Sequence, residues 1–99
     1  MLKGNFEAKQ DLKEAHDDRT LDICADVLDD LALELRDIGN RDDAGDVMDI
    51  SDAVRRGLAR KANVMWGELD TFVRDKIANS IETDEEEDAC RDILGVTLL

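Results

Sequence analysis

Carboxylates are the residues of this chain whose type and spacing most invite a chemical reading. Wound as an α-helix, the segment around 21–38 places Asp22, Asp26, Asp29, Asp30 and Asp37 on one broad arc. Asp42, Asp46, Asp49 and Asp52 form a second arc on the segment that follows. Asp22/Asp26, Asp26/Asp30 and Asp42/Asp46 are four residues apart, which puts each pair roughly 5–6 Å apart on a helix surface. That is near the spacing of successive phosphates along a nucleic-acid strand. Like charges so placed destabilise an isolated helix by roughly 0.2–0.5 kcal/mol per pair. Asp is also a poorer helix former than Glu. The chain nonetheless carries 18 Asp against eight Glu.

Two readings of this acid follow. One is a solvated surface, of the kind a salt-rich cytoplasm favours; the five Lys beside so much Asp fit that. The other is a surface that imitates a nucleic-acid backbone and occupies a basic protein groove. Leu33 lies in the middle of the first acidic arc, and Met48 is off the apolar stripe of its own segment. An apolar anchor ringed by charge is a common build for an interface hot spot. The candidate partner-binding set is therefore Asp22, Asp26, Asp29, Asp30, Asp42, Asp46 and Asp49 as phosphate stand-ins, with Leu33 as anchor.

Other chemistry is poorly supplied. His16 is the one histidine, and no Cys/His set has the spacing of a zinc site. No Glu-x-x-His pair of a di-iron bundle occurs. The acid-rich run from Asp42 to Asp52 surrounds Gly45 but lacks the spacing and closing Glu of a calcium loop. No glycine-rich phosphate loop is present. Asp26/Asp30 can bind Mg²⁺ weakly, but exposed carboxylates without a cleft rarely make a catalytic site. A cysteine nucleophile needs a neighbouring base, and a predicted helix break separates His16 from Cys24. The expectation is a non-enzyme with no cofactor and no metal. Cys24 and Cys90 lie among apolar helical positions and read as two reduced, buried thiols.

Charge narrows the partners. The 99 residues hold 26 acidic and 13 basic side chains, a formal net charge of −13. Most of the acid lies in 11–52 and 82–99, whereas 53–81 is net basic. Affinity for nucleic acid and for anionic lipid comes from Lys and Arg, so neither is an expected direct partner. The basic run Arg55-Arg56-Gly57-Leu58-Ala59-Arg60-Lys61 is expected to pair with acidic helices of the same chain or of a second subunit. No apolar run approaches the ~20 residues of a membrane span. Met1–Asn5 opens no signal-peptide core. A soluble cytoplasmic protein is expected.

These side chains need helices to hold them. There is no Pro, and helical periodicity dominates. A short helix is predicted over about 5–17, with Ala8, Leu12 and Ala15 on one face. Leu21, Cys24, Leu28, Leu31, Leu35 and Ile38 step by threes and fours, an a/d seam. The two stripes lie on opposite sides, so a break is predicted near 17–20, with Asp18 or Thr20 as N-cap. Gly39-Asn40 stops the second helix. Val47, Ile50, Val54, Leu58, Ala62, Met65, Leu69, Val73 and Ile77 form a slowly drifting stripe. It fits one long helix over about 42–81, with a bend or break at Gly57 or Gly67, or two helices split somewhere in 57–63. Trp66 beside this stripe reads as core. Thr83 and Glu86 spell a capping box, and Gly95 ends the last helix.

The fold expected is a single all-α domain over 1–99: a compact bundle of four to five helices with short connections, completed by dimerisation in one version. The function expected is a non-enzymatic acidic protein that binds a basic protein surface. Its sharpest form is a nucleic-acid-mimicking inhibitor of a nuclease or DNA-binding protein, of the kind a virus uses in a host cytoplasm. The alternative is an oligomeric scaffold or adaptor, such as a homodimer, using the heptad seam and the apolar tail Val96–Leu99.

Overall fold

The computed structural model describes residues 17–95. Their helices are α1 (Asp18–Asp37), α2 (Arg41–Arg55), α3 (Ala59–Glu68), α4 (Thr71–Asp75), α5 (Ile77–Ser80) and α6 (Asp84–Leu94). Lys76 alone joins α4 to α5, and its backbone is itself in the right-handed helical region. The pair acts as one irregular helix, so the described chain is an all-α bundle of five helical units with short connections. The predicted helix over 5–17 and the apolar tail Val96–Leu99 lie outside the described residues.

Asp17 caps α1, not Asp18 or Thr20. Its backbone is still extended, while Asp18 is already helical. The Asp17 carboxylate accepts from the Thr20 N–H at 2.8 Å and the Thr20 hydroxyl at 2.7 Å, so Thr20 is the donor of this cap and not its acceptor. The seam of α1 is buried as expected: Leu21, Cys24, Leu28, Leu31 and Leu35 are at most 1% exposed. Ala25, Val27 and Ala32 widen it. Ile38 departs from the prediction and is 53% exposed. It is the C-cap residue, so the helical geometry that would carry it round to the seam has already ended. Gly39 then takes φ +86, the left-handed conformation that glycine adopts without a Cβ penalty. Asn40 doubles as the N-cap of α2, its side chain accepting from the Asp43 N–H. The tight turn makes α1 and α2 a helical hairpin.

No single helix spans 42–81. Such a helix would run about 60 Å and leave half its stripe with nothing to pack against. Gly57, at φ +78, ends α2 and turns the chain back over the hairpin. The split therefore falls in the range predicted, but a second break follows. Leu69 and Asp70 are extended and separate α3 from α4. The stripe survives these breaks: Val47, Ile50, Val54, Ala62, Leu69, Val73 and Ile77 are all buried. Trp66 is buried with them. At the last helix the capping box forms as read, with Thr83 and Glu86 each accepting from the other's N–H, and Gly95 closes it in the left-handed conformation.

α1 packs against α2, α5 and α6, and α3 bridges α2 and α6. The seam that a second chain would have used is thus filled by the protein's own helices.

Candidate functional site

Ser51 organises the outer side of the α1–α2 hairpin. It is the buried polar side chain among the described residues, on the α2 face that meets α1. Its single hydroxyl proton has two acceptors, Asp29 Oδ1 at 2.7 Å and the Ala25 carbonyl at 3.1 Å. Its oxygen accepts from Arg55 Nη1 at 2.9 Å. Arg55, one turn further along α2, reaches across to three carboxylates of α1. Its Nη2 lies 2.8 Å from Asp26 and 3.0 Å from Asp29, and its Nε lies 3.7 Å from Asp22. Partial burial opposes the guanidinium charge; Asp29, Asp26 and Asp22 outweigh it and hold the pKa above its usual value.

This cluster sorts the predicted site. Asp22, Asp26 and Asp29 are already countered from within the chain. The basic run therefore acts intramolecularly at Arg55, and Arg56 pairs with Asp52 at 3.2 Å on its own helix. Asp30, Asp42, Asp46 and Asp49 are exposed and make no ion pair among the described residues. The last three form an i, i+4, i+7 row along α2. Their short arms and helical backbone hold three negative charges at near-fixed spacing.

Leu33 and Met48 are both exposed, at 55% and 49%. The Ser51–Asp29 hydrogen bond fixes the hairpin register. One turn along α1 from Asp29 is Leu33; three residues back along α2 from Ser51 is Met48. Since the helices are antiparallel, both steps go the same way. The two apolar side chains thus share one level of the hairpin's outer side, whereas the Asp42–Asp46–Asp49 row lies roughly 100–160° round α2 from Met48. No protein-family model, curated protein or solved structure matches this chain. The face itself is the basis for any functional reading.

Asp30 sits toward α6. Loss of solvation raises its pKa above the ordinary carboxylate value, with Glu86, Asp26 and Asp29 adding repulsion. The ionised form is therefore a burden on the folded state. That burden is absent below the unfolded pKa and grows as pH rises through the folded one. Asp30→Asn is expected to raise the melting temperature at neutral pH, by less than about 1 kcal/mol equivalent for so exposed a group. The gain should shrink to nothing by about pH 3. Thermal melts across that range check it; an equal gain at all pH values would contradict it.

Two features went unread in the sequence. Ser51 interrupts an apolar face between Val47 and Val54, a signal that a helical wheel of α2 does contain. Lys76 pairs with Glu34 at 3.6 Å and lies 4.9 Å above the Phe72 ring, joining α1 to the α4–α5 unit. That pairing depends on the break at Leu69–Asp70, which periodicity did not mark.

A shallow cleft of about 320 Å³ opens between the first turns of α1 and α6. Asp17, Glu85, Asp88 and Asp92 line it with Arg19, which bridges it to Glu85 at 3.1 Å. Among the described residues no group of His, Cys, Asp and Glu is arranged to hold a metal ion. His16 lies outside them. Cys24 and Cys90 are free and fully buried. A hydrogen bond with Cys90, then burial, pushes the Cys24 thiol far up, so it stays protonated and weakly nucleophilic in the folded chain.

Proposed function

We propose that this chain is a non-enzymatic acidic protein that binds a basic protein surface, acting as a charge mimic of nucleic acid against a nuclease or DNA-binding protein. One observation carries the reading: the α1–α2 hairpin exposes both a row of carboxylates with no ion pair among the described residues, Asp42, Asp46 and Asp49, and, on another side, two large apolar side chains, Leu33 and Met48. A purely solvated face has no use for the apolar pair. A protein interface does, because desolvated apolar anchors carry binding energy while surrounding charges steer and orient.

The reading gives the acids separate roles. Asp42, Asp46 and Asp49 stand in for phosphates. Asp30 extends the negative field toward α6. Asp22, Asp26 and Asp29, held by Arg55, fix the hairpin and contribute less to the partner than the sequence alone suggests. With a net charge of −13, association with a basic groove is fast at low ionic strength and falls steeply with salt.

Truncating the anchors separates binding from folding. Leu33→Ala with Met48→Ala should leave the unfolding free energy within about 0.5 kcal/mol of the original, since both are surface positions. Partner affinity should fall at least about tenfold, equivalent to about 1.4 kcal/mol. Denaturant melts and a binding titration measure the two quantities. Unchanged affinity would remove the anchor role.

The scaffold alternative has less to draw on. Its seam is occupied within the chain, and the tail Val96–Leu99 on which it also rests lies outside the described residues.

A further inference from the structure

The fold brings together two residues that the sequence keeps far apart. Cys24 lies on α1 and Cys90 on α6. These helices pack directly on each other. Both side chains are 0% exposed, and they are the only cysteines in the chain. Their chain neighbours Ile23 and Ala89 line one cleft between the two helices, so both thiols lie at the same crossing. No other nucleophilic or redox-active pair is so placed among the described residues.

We propose that Cys24 and Cys90 form a redox modification site, which reacts with a small disulfide of the glutathione class to close an intramolecular disulfide between α1 and α6. The chemistry balances with that co-reactant. One protein thiolate attacks a sulfur of the small disulfide, forms a mixed disulfide and expels one small thiolate. The second protein thiolate attacks the protein sulfur of that adduct and expels the other small thiolate. The two protons lost by the protein are taken up by the two departing thiolates. The protein is oxidised by two electrons and the small disulfide is reduced to two thiols.

Geometry favours the second step. Two thiols buried at one helix crossing need only a local adjustment to reach the ~2.05 Å bond length. Burial hinders the first step, because neither thiol meets solvent in the closed bundle. Attack therefore proceeds from a state in which α6 has lifted off α1, a local opening of a terminal helix. The result is a staple. In the reduced chain α6 is held by packing and the exposed Arg19–Glu85 ion pair; in the oxidised chain it cannot leave the hairpin. The site is independent of the acidic face.

The competing view is that the thiols are only small apolar fillers. An equilibrium measurement decides between them without any substitution. The folded chain, and the same chain in about 6 M guanidinium chloride, are equilibrated with one mixture of reduced and oxidised glutathione. Each is approached from the reduced and from the oxidised side. Acid quenching, alkylation and intact mass then count the product lighter by two hydrogens. Proximity in the fold predicts a bridging equilibrium constant larger in the folded chain by on the order of 100-fold or more. The bridged chain should also melt at a higher temperature than the reduced one. A constant equal or smaller in the folded chain would overturn the proposal. So would glutathione adducts or linked dimers as the final folded product.

Discussion

Asp42→Lys, Asp46→Lys and Asp49→Lys together are expected to abolish binding to the basic partner while leaving the bundle folded. The three carboxylates are exposed and unpaired, so no ion pair or buried contact is lost. The penalty to folding is small and local. Asp42 stands in the first turn of α2, where a negative charge complements the helix dipole. Reversal there costs about 0.3–1 kcal/mol, and replacing Asp by a better helix former offsets part of it. Binding responds quite differently. Each reversal replaces an attraction in the basic groove by a repulsion. Like charges brought together across an interface cost several kcal/mol, so a loss of at least about 100-fold is expected. Circular dichroism should show unchanged helix content in the same sample. A triple variant that binds normally would refute the phosphate stand-in role of this row.

The largest effect on stability is expected at Arg55. Arg55→Ala removes the one cation among the described residues that meets Asp22, Asp26 and Asp29, together with the donor to Ser51. Asp29 is the least exposed of the three carboxylates and bonds to the buried Ser51 hydroxyl, so its charge is left poorly compensated. Losing a charged partner at a partly buried hydrogen-bonded site costs about 1–3 kcal/mol. For a domain of this size that lowers the melting temperature by on the order of 10 °C. Salt should restore part of the loss, because the remaining repulsion among three close carboxylates is screened. Arg55→Lys should recover less than charge alone suggests, since an ammonium cannot reach Ser51 and the carboxylates at once in a planar fork. If Arg55→Ala melts within about 1 °C of the original at low salt, the cluster contributes only what ordinary surface pairs do. Partner binding supplies a contrast. The freed carboxylates add to the negative face, so the same substitution should not weaken capture.

Sequence legibility followed the range of the forces involved. Short-range signals translated directly. Thr83 with Glu86, Gly39 and Gly95 act within one helical turn, and each does in the fold what its type dictates. The seam from Leu21 to Leu35 was equally plain, because 3.6-residue periodicity is a property of the segment itself. The stripe from Val47 to Ile77 was read correctly as buried, yet its continuity concealed two breaks. An apolar stripe shows which residues face the core. It does not show how often the backbone stops being helical between them. Gly57 carried a local signal for the first break, and Gly67 carried one just before the second, at Leu69–Asp70.

The candidate face shows the same division. Helical spacing placed the acids on arcs and marked Leu33 and Met48 as off the core stripes, and both are exposed. Which carboxylates are compensated was not legible, because it depends on the register between α1 and α2. That register is set by Ser51, whose hydroxyl matters only once Asp29 is opposite it. The meeting of Cys24 and Cys90 at the α1–α6 crossing is another cross-helix fact that no single segment encodes.

The central claim is that the Asp42–Asp46–Asp49 row with Leu33 and Met48 occupies a surface built for nucleic acid. It is tested most directly by competition. The immobilised chain, and its triple-reversed variant as control, are loaded with proteins from a matched cell extract at about 50 mM salt. Duplex DNA is then titrated in, and in parallel the salt is raised to about 200 mM. The proposed mimicry predicts that basic nucleic-acid-handling proteins are held by the original chain, are absent from the variant, and are released by DNA and by salt alike. Proteins held equally by both chains, and indifferent to DNA and salt, would contradict it.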